Sequence, residues 1–560
     1  MLTIGLYGVG DRDGSGASHD HGVAVMENGR VVTCQELERV TRRKHDGTLE
    51  AHLGSLLRPF LLPGQPVCIA LANSFVGARF CSTDGMIEID GATDLEVPEM
   101  TREGRGRIVV DGAVVPARFF SVSHEIAHVA TCLPFFGPFQ PDNLLVHVDG
   151  GASRSCASAW HFDGHRLACL DHGWHAGLKG AVNNFNDSQL ARRILGLGPG
   201  DHLSMPGKLM GLASFGRRDR TASEWLAERE WLRHDTRPPE AVVRELQREL
   251  PRLGLAELSA RDPGSQVLAA CMQRHVEDEI LAYIGRFRRA TNARHLYYSG
   301  GAALNIHANA RIERELGFSS VSIPPAPSDA GLALGAAAFL EWRAGHPIAV
   351  HTPFLNQTRH ESRTPAAAAG LPVVRTPEEA ARLIAEGRVV GVWTGRAELG
   401  PRALGHRSLL ARPDSVEIRR RLSEGMKRRE WYRPVAPMML SEVATEALDG
   451  FVEGSALGRF MLGAWTLRPA WAAPFAGCVH ADGTVRAQIV DGREPELRHI
   501  YNLLMELKRR HGVQGAINTS FNPQGVPIVH ELEEAVRAAL EMGVDALWLP
   551  ATTEASCPHR

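Results

Sequence analysis

The sequence predicts an α/β protein of two domains, the first of them internally duplicated. Three observations carry that expectation. A pattern of strand, glycine loop, strand, tight turn and strand opens the chain and returns after residue 143. The composition is globular, 44% apolar and 22% charged over 560 residues, so at least two cores are expected. A stretch rich in Pro, Ala and polar residues, 345–372, lacks periodicity and divides two regions of alternating strand and helix signals. The expected boundaries are 1–350, a linker at 351–371, and 372–560.

Taken in order, Ile4 to Tyr7 is a short apolar strand followed by a Gly/Asp/Ser loop. "GVAVMENGRVVTCQE" then gives two strands joined at Asn28-Gly29, residues that accept the positive φ of a hairpin turn. "FSVSHEIAHVATC", residues 120–132, holds His124, Glu125 and His128 in H-E-x-x-H spacing, which stacks two imidazoles on one helix face. Pro134 ends that helix early. In "NLLVHVDGGASRSCASAWHFDGHRLACLD" a buried strand, Leu144 to Val148, delivers Asp149 into Gly150-Gly151, and two more strands turn at Asp163-Gly164.

"RHLYYSGGAALNIHAN" runs a strand into Gly300-Gly301 and then a helix, a place where backbone approaches a nucleotide closely. "IPPAPSDAGLALGAAAFLEW" puts Ser328 and Asp329 at a helix N-cap. Beyond the linker, "TPEEAARLIAEGRVVGVW" reads as a capped helix, a Gly stop and a buried strand, with mixed elements continuing to about Trp548. Two halves, each opening on a hairpin whose tip reaches toward a phosphate, are the plan of the duplicated actin/Hsp70-type (RNase H-like) and sugar-kinase ATPases, an analogy of fold.

Lys plus Arg total 62 against 64 Asp plus Glu, net −2 with pI near 7.0, so no global field draws in nucleic acid or an anionic membrane. A small-molecule substrate is expected. The nine cysteines are scattered without a C-x-x-C pair, against a disulfide scaffold or a thiolate zinc site. The start has no basic region ahead of a long apolar core, and no apolar run approaches about 18 residues. The expected location is cytoplasmic.

A zinc protease needs a further ligand soon after H-E-x-x-H, yet residues 129–160 contain no Glu. Two readings remain: histidines of a core or surface helix, or a metal site joining His124 and His128 to Asp149 and Asp329. Mixed His and carboxylate ligation suits Fe²⁺ first, with Mn²⁺ or Zn²⁺ as alternatives, over the all-oxygen shell of Mg²⁺. In the second domain, Arg396, Arg402, Arg407, Lys427 and Arg433 fall between residues 396 and 433. A solvated helix face explains "EIRRRLSEGMKRRE". It does not explain "LGPRALGHRSLL", where Arg402 and Arg407 share a turn with glycines, the composition of a phosphate or carboxylate site. "GAINTSFNPQGVPIV" sets Asn518, Thr519, Ser520 and Asn522 at a strand end, as oxyanion donors or as turn formers.

Together, "SHEIAH", "HVDGGAS", "MPGKLMGLASFG", "SGGAALN", "PPAPSDAGLALGAA", "ELGPRALGHRS", "WYRPVAP" and "INTSFNPQGVPIV" resemble the NodU/CmcH-type O-carbamoyltransferases over nearly the whole chain. The resemblance implies a TsaD-like N-terminal domain of the actin type, binding ATP (with its Mg²⁺) and one divalent metal, and a YrdC-like α/β C-terminal domain. It implies transfer of a carbamoyl group from carbamoyl phosphate, through a carbamoyl-adenylate, to a hydroxyl of a small-molecule acceptor, as in antibiotic and other natural-product tailoring. Matched by motif, His124, His128, Asp149 and Asp329 are the metal ligands. Gly150, Gly151, Lys208, Gly300, Gly301, Asn305 and Ser328 fall in nucleotide-binding segments. Arg402, Lys427, Arg433, Asn518 and Ser520 match carbamoyl-phosphate contacts, and His19 matches the histidine beside the acceptor, a general base if its pKa stays near about 6.5.

Two rival readings are a threonylcarbamoyl transferase acting on tRNA and a non-enzymatic, ATP-driven binding protein of the actin/Hsp70 class. The neutral pI weighs against the first, and the cationic turns after residue 395 are left unexplained by the second. The sequence names neither the acceptor nor the oligomeric state.

Overall fold

The computed structural model describes residues 2–8, 18–62, 64–73, 79–90, 95, 98–151, 155–198, 202–358 and 370–550. Strands β1 (Leu2–Tyr7), β2 (Gly22–Glu27) and β3 (Arg30–Glu36) form an antiparallel meander. Asn28 and Gly29 turn it with φ of 50° and 78°. β1 pairs in parallel with β4 (Val67–Asn73), and β4 with β5 (Ala117–Ser123). Helix α1, His124–Ala130, follows at once because Ser123 caps it, accepting from the Ile126 N–H.

The second half repeats the plan. β6 (Asn143–Val148), β7 (Ala157–Phe162) and β8 (Leu167–Gly173) are an antiparallel meander. After an insertion of helices ending in α2 (Pro263–Thr291), β6 pairs in parallel with β9 (His295–Ser299). Helix α3 (Ile306–Glu315) leads to β10 (Ser320–Ser322), parallel to β9, and α4 (Leu332–Arg343) follows. The orders β3-β2-β1-β4-β5 and β8-β7-β6-β9-β10 coincide, as the repeat in the sequence suggests. Both first strands, β1 and β6, are buried along their whole length; their residues are mostly apolar, with Thr3 on β1 and Asn143 and His147 on β6 as buried polar exceptions.

Helices α1 and α4, equivalent in the two halves, cross in contact between the sheets. Gly335 of α4 permits this: a Cβ there would lie 1.8 Å from the Ala127 carbonyl oxygen of α1. Gly5 does the same for β1 against Ala333. The crossing sets the first turn of α1 beside the turn that precedes α4.

The C-terminal region is a second α/β layer. Its elements are β11 (Phe354–Asn356), β12 (Val373–Val374), α5 (Pro377–Ala385), β13 (Val390–Trp393), β14 (Ala397–Glu398), β15 (Arg407–Ala411) and β16 (Ala436–Leu440). There follow β17 (Gln488–Val490), α6 (Arg498–His511), β18 (Ala516–Ser520), α7 (Leu532–Met542) and β19 (Ala546–Trp548). The mixed sheet runs β12-β19-β13-β15-β18-β16-β17. Within 351–371, expected as a linker, Phe354–Asn356 is a buried strand paired with β14, and 359–369 lie outside the described residues. The largest apolar cluster crosses the expected boundary: Phe135 and Phe136 meet Phe460, and the Asn309 amide donates to the Leu462 carbonyl at 2.9 Å. The two regions are therefore packed together by a shared cluster, while one further cluster lies wholly within residues 2–119 and another wholly within 371–549.

Candidate active site

At the crossing of α1 and α4 four side chains converge. His124 Nε2 and His128 Nε2 are 3.1 Å apart, and His128 Nε2 lies 3.4 Å from Asp329 Oδ1 and 3.6 Å from Asp149 Oδ2. His124 Nε2 is 3.8 Å from Asp329 Oδ1. One ion with ligand bonds of about 2.1 Å sets adjacent ligand atoms roughly 3.0–3.4 Å apart. Ligand atoms of His124, His128 and Asp329 all lie within 4.8 Å of one another, a group that suits a divalent metal with mixed N/O ligation, and Asp149 adjoins it through His128. The surroundings hold the ligands in that orientation. The Pro327 carbonyl lies 3.0 Å from His128 Nδ1, leaving Nε2 to face the centre, and the Tyr7 hydroxyl donates to Asp329 Oδ2 at 2.5 Å. Backbone N–H groups of Gly150 and Gly301 both donate to Asp149 at 2.5 Å.

Charges tune one another here. Burial opposes ionisation of Asp329, but His128 and His124 outweigh it and hold the carboxyl far below its usual range. Burial also lowers His128, and Asp329 and Asp149 more than restore it; His124 is lowered by burial and by His128. Glu125, which would be the base of a protease, accepts from the Ser123 and Ser155 hydroxyls at 2.9 and 3.2 Å.

The glycine sites sit around this centre. Gly300, at φ 99°, leaves no room for a side chain, since a Cβ would lie 2.1 Å from the Val148 carbonyl oxygen. A Cβ at Gly301 would touch Asp149, and one at Gly150 would meet Asn186 at 2.8 Å. Gly151 lies under the half-exposed Trp174 ring. Ser328 precedes Asp329 at the turn into α4. Asn305 caps α3 and exchanges hydrogen bonds with Gln273, so its amide is engaged within the fold. Residues 9–17 of the first glycine loop and 152–154 of the second lie outside the described residues.

The second group of functional side chains is cationic. Arg402, Arg429, Arg433, Arg486, Lys427 and Lys44 act on one another through space. Burial lowers Arg429, Arg402 and Arg486, and each is lowered further by neighbouring cations. Lys427 is pushed well down by burial and by Arg429, Lys44 and Arg433, while its Nζ donates to Asn522 at 2.6 and 2.8 Å and to Ser520. Such crowding favours an anion. Arg429 donates to Thr519 Oγ1 and Ser520 Oγ, both at 3.1 Å. The Asn518 amide donates to Ala403 and Gln488, and its buried carbonyl oxygen has no partner among the described residues.

Three of these cations were not singled out by motif: Arg429, Arg486 and Lys44. Arg486 stands in "GTVRAQ", which carries no sequence signal, and Lys44 comes from the other end of the chain. Arg407, read as a ligand contact, is wholly buried, stacks on Trp393, and donates to carbonyl oxygens of Gly395, His406 and His530. Its neighbour Glu398 accepts from the N–H groups of Leu404, His406 and Arg407 at 2.8–3.0 Å. Both residues shape the loop that presents Arg402.

The two groups adjoin. Gly400, at φ 92°, abuts the Pro325 carbonyl four residues before Asp329, and a Cβ there would lie 2.3 Å from it. Lys208 crosses from the N-terminal region to Glu430 at 2.9 Å. His19 Nδ1 is 3.0 Å from Asp20, whose other oxygen is 2.8 Å from His45. Burial lowers the His19 pKa, but the Asp20 hydrogen bond and the charges of Asp329, Asp20 and Asp149 raise it to about 9. Lys44, next to His45, responds to Arg429 and Arg433. His19, Asp20 and His45 thus stand between the carboxylate–histidine centre and the cations.

Two family models match the chain in succession. The family description "Carbamoyltransferase N-terminus" matches residues 113–338, and "Carbamoyltransferase C-terminus" matches 381–554. Nodulation protein U of Rhizobium tropici is 27% identical over 588 residues, covering 95% of this chain and 93% of that protein. Nodulation protein NolO of Bradyrhizobium diazoefficiens is 31% identical over 373 residues, 63% of this chain and 66% of that protein. The uncharacterized protein MJ1058 of Methanocaldococcus jannaschii is 27% identical over 454 residues, 76% of this chain and 72% of its own. No helix among the described residues is long and apolar enough to cross a membrane. With both family regions matched in order, the chain belongs to the NodU-type carbamoyltransferase family and is a carbamoyltransferase.

Proposed function

We propose that the protein is an ATP-dependent O-carbamoyltransferase that converts carbamoyl phosphate to a carbamoyl-adenylate and passes the carbamoyl group to a hydroxyl of a small molecule. The observation that carries this reading is the junction itself, where a cation cluster meets a carboxylate–histidine centre through the contact of Gly400 with Pro325. The duplicated strand order supports an ATPase-type N-terminal domain, and the C-terminal region takes the part of a YrdC-like domain.

Arg402, Arg429, Arg433, Arg486 and Lys427 hold the dianionic carbamoyl phosphate. Its cleavage by water gives carbamate and phosphate. A carbamate oxygen attacks the α-phosphate of ATP, pyrophosphate leaves, and the mixed anhydride carries AMP as a good leaving group. The acceptor hydroxyl then attacks the carbamoyl carbon, AMP departs, and His19 takes the hydroxyl proton. A divalent metal, Fe²⁺, Mn²⁺ or Zn²⁺, held by His124, His128, Asp149 and Asp329 would neutralise phosphate charge and offset part of the carboxylate field that keeps His19 protonated. Carbamate is unstable in water, so close contact of the two regions protects it.

Incubation with carbamoyl phosphate and ATP, followed by mass spectrometry, tests the reading. Carbamoyl-adenylate is expected, and His19→Ala should still form it while transferring little to an accepted hydroxyl. Absence of the adenylate with both substrates saturating would overturn the mechanism. Carbamoyl transfer only in the presence of tRNA would favour the threonylcarbamoyl reading, against which the net charge of −2 stands.

A further inference from the structure

His147 has no part in the mechanism above, yet its surroundings are unusual for an imidazole. It lies on β6 two residues before Asp149, and the pleat of a strand directs both side chains to the same face. It is 0% exposed, and neither ring nitrogen has a hydrogen-bond partner among the described residues. Its ring stacks on His128 with centroids 5.0 Å apart and 20° between planes, and it meets His124 edge-on at 6.4 Å. One of its nitrogens, a nitrogen of His128 and an oxygen of Asp149 all lie within 4.8 Å of one another, and this group shares His128 with the group of His124, His128 and Asp329.

Burying an unpartnered imidazole is unfavourable, and an apolar ring would fill the same space without that cost. A buried neutral imidazole is, however, a metal ligand of the first choice. We propose that His147 supplies a further nitrogen to the metal centre of His124, His128, Asp149 and Asp329. The inference rests on the metal reading of that centre and deepens it. Three imidazoles with two carboxylates move the preference further from Mg²⁺ and toward Fe²⁺, Co²⁺ or Zn²⁺. The competing role is packing, in which the ring serves only to back His128.

His147→Phe separates the two, because it keeps a stacked ring and removes both nitrogens. Metal-stripped full-length protein is titrated with Co²⁺ and with Mn²⁺ by calorimetry, and the visible absorption of the Co²⁺ form is recorded. Wild type is expected to bind one ion. His147→Phe should bind it at least tenfold more weakly, with a changed Co²⁺ band and no loss of thermal stability in the metal-free state. Equal affinity and an unchanged band overturn the inference alone. Failure of wild type to bind either ion in stoichiometric amount overturns the metal reading and this inference with it. Should the larger Phe ring overfill the site, His147→Leu is read by the same titration against the same outcomes.

Discussion

His19 shows how one neighbour changes what a residue type implies. Its place in "SHDHG" marked it as a base with an ordinary imidazole pKa, but no spacing rule reveals that Asp20 grips its Nδ1 while also holding His45. In the folded chain its pKa is about 9, against about 6.5 unfolded. The folded protein therefore keeps a proton that the unfolded chain releases across this interval. The stabilisation is fully present below about pH 6.5 and is lost as pH rises through about 9. For metal-free protein the difference in stability between wild type and His19→Gln should shrink by roughly 2–3 kcal/mol from pH 6 to pH 9.5, about 2 °C in melting temperature for a chain this long. A pH-independent difference would show that Asp20 does not hold the proton on His19. The motif histidines and aspartates were legible because strand-end and helix spacing fix their places. Arg486 and Lys44 were not, since only the tertiary fold brings them to the cations.

The strands and hairpin turns were legible as elements because the apolar runs and the Asn28-Gly29 turn each follow a local rule. The stretch "EIRRRLSEGMKRRE" was not. Its composition describes a solvated helix, and its first residues do form one, Val416–Arg420. From Arg421 to Met426 the chain widens into a π turn, with the Lys427 N–H bonded to the Leu422 carbonyl at 3.1 Å. Arg428 follows at φ 48°. The extra residue per turn and the reversal at Arg428 rotate Lys427 and Arg429 inward and leave Arg428 exposed. Arg429→Ala should weaken carbamoyl-phosphate binding by about 2–5 kcal/mol, the range for removing one partner of a buried, hydrogen-bonded charge pair. Arg428→Ala should leave it within about 0.5 kcal/mol, as an exposed side chain does. Calorimetry giving the same affinity for both variants would mean that the π turn does not build the anion site.

At the scale of the whole molecule, the largest apolar cluster crosses the expected boundary, and buried polar contacts register the two regions. Arg39 donates to the Gly400 carbonyl at 2.6 Å, and the Gly400 N–H donates to Glu36 at 3.1 Å. Asn356, in the stretch that composition marked as a linker, bonds Glu36 and the Glu398 carbonyl. Burial raises the Glu36 carboxyl to about 7 even though Arg39 opposes the rise. Gly400 is where this registration reaches the chemistry, two residues before Arg402 and against the loop that leads to Asp329. An added methyl group would have to adopt positive φ and push aside the Pro325 carbonyl, so Gly400→Ala should part the two loops without touching any proposed ligand. Binding of carbamoyl phosphate, and of Mn²⁺, should each stay within about threefold of wild type, because every group that holds them is retained. Transfer should fail differently: carbamate would escape before adenylation, so phosphate release continues while carbamoylated product falls. The measured quantity is product formed per phosphate released from carbamoyl phosphate, near unity for a sealed junction and well below it for Gly400→Ala. An unchanged ratio would show that carbamate passes between the two groups without this contact, and the seal would then have to be sought elsewhere along the Lys208–Glu430 side of the junction.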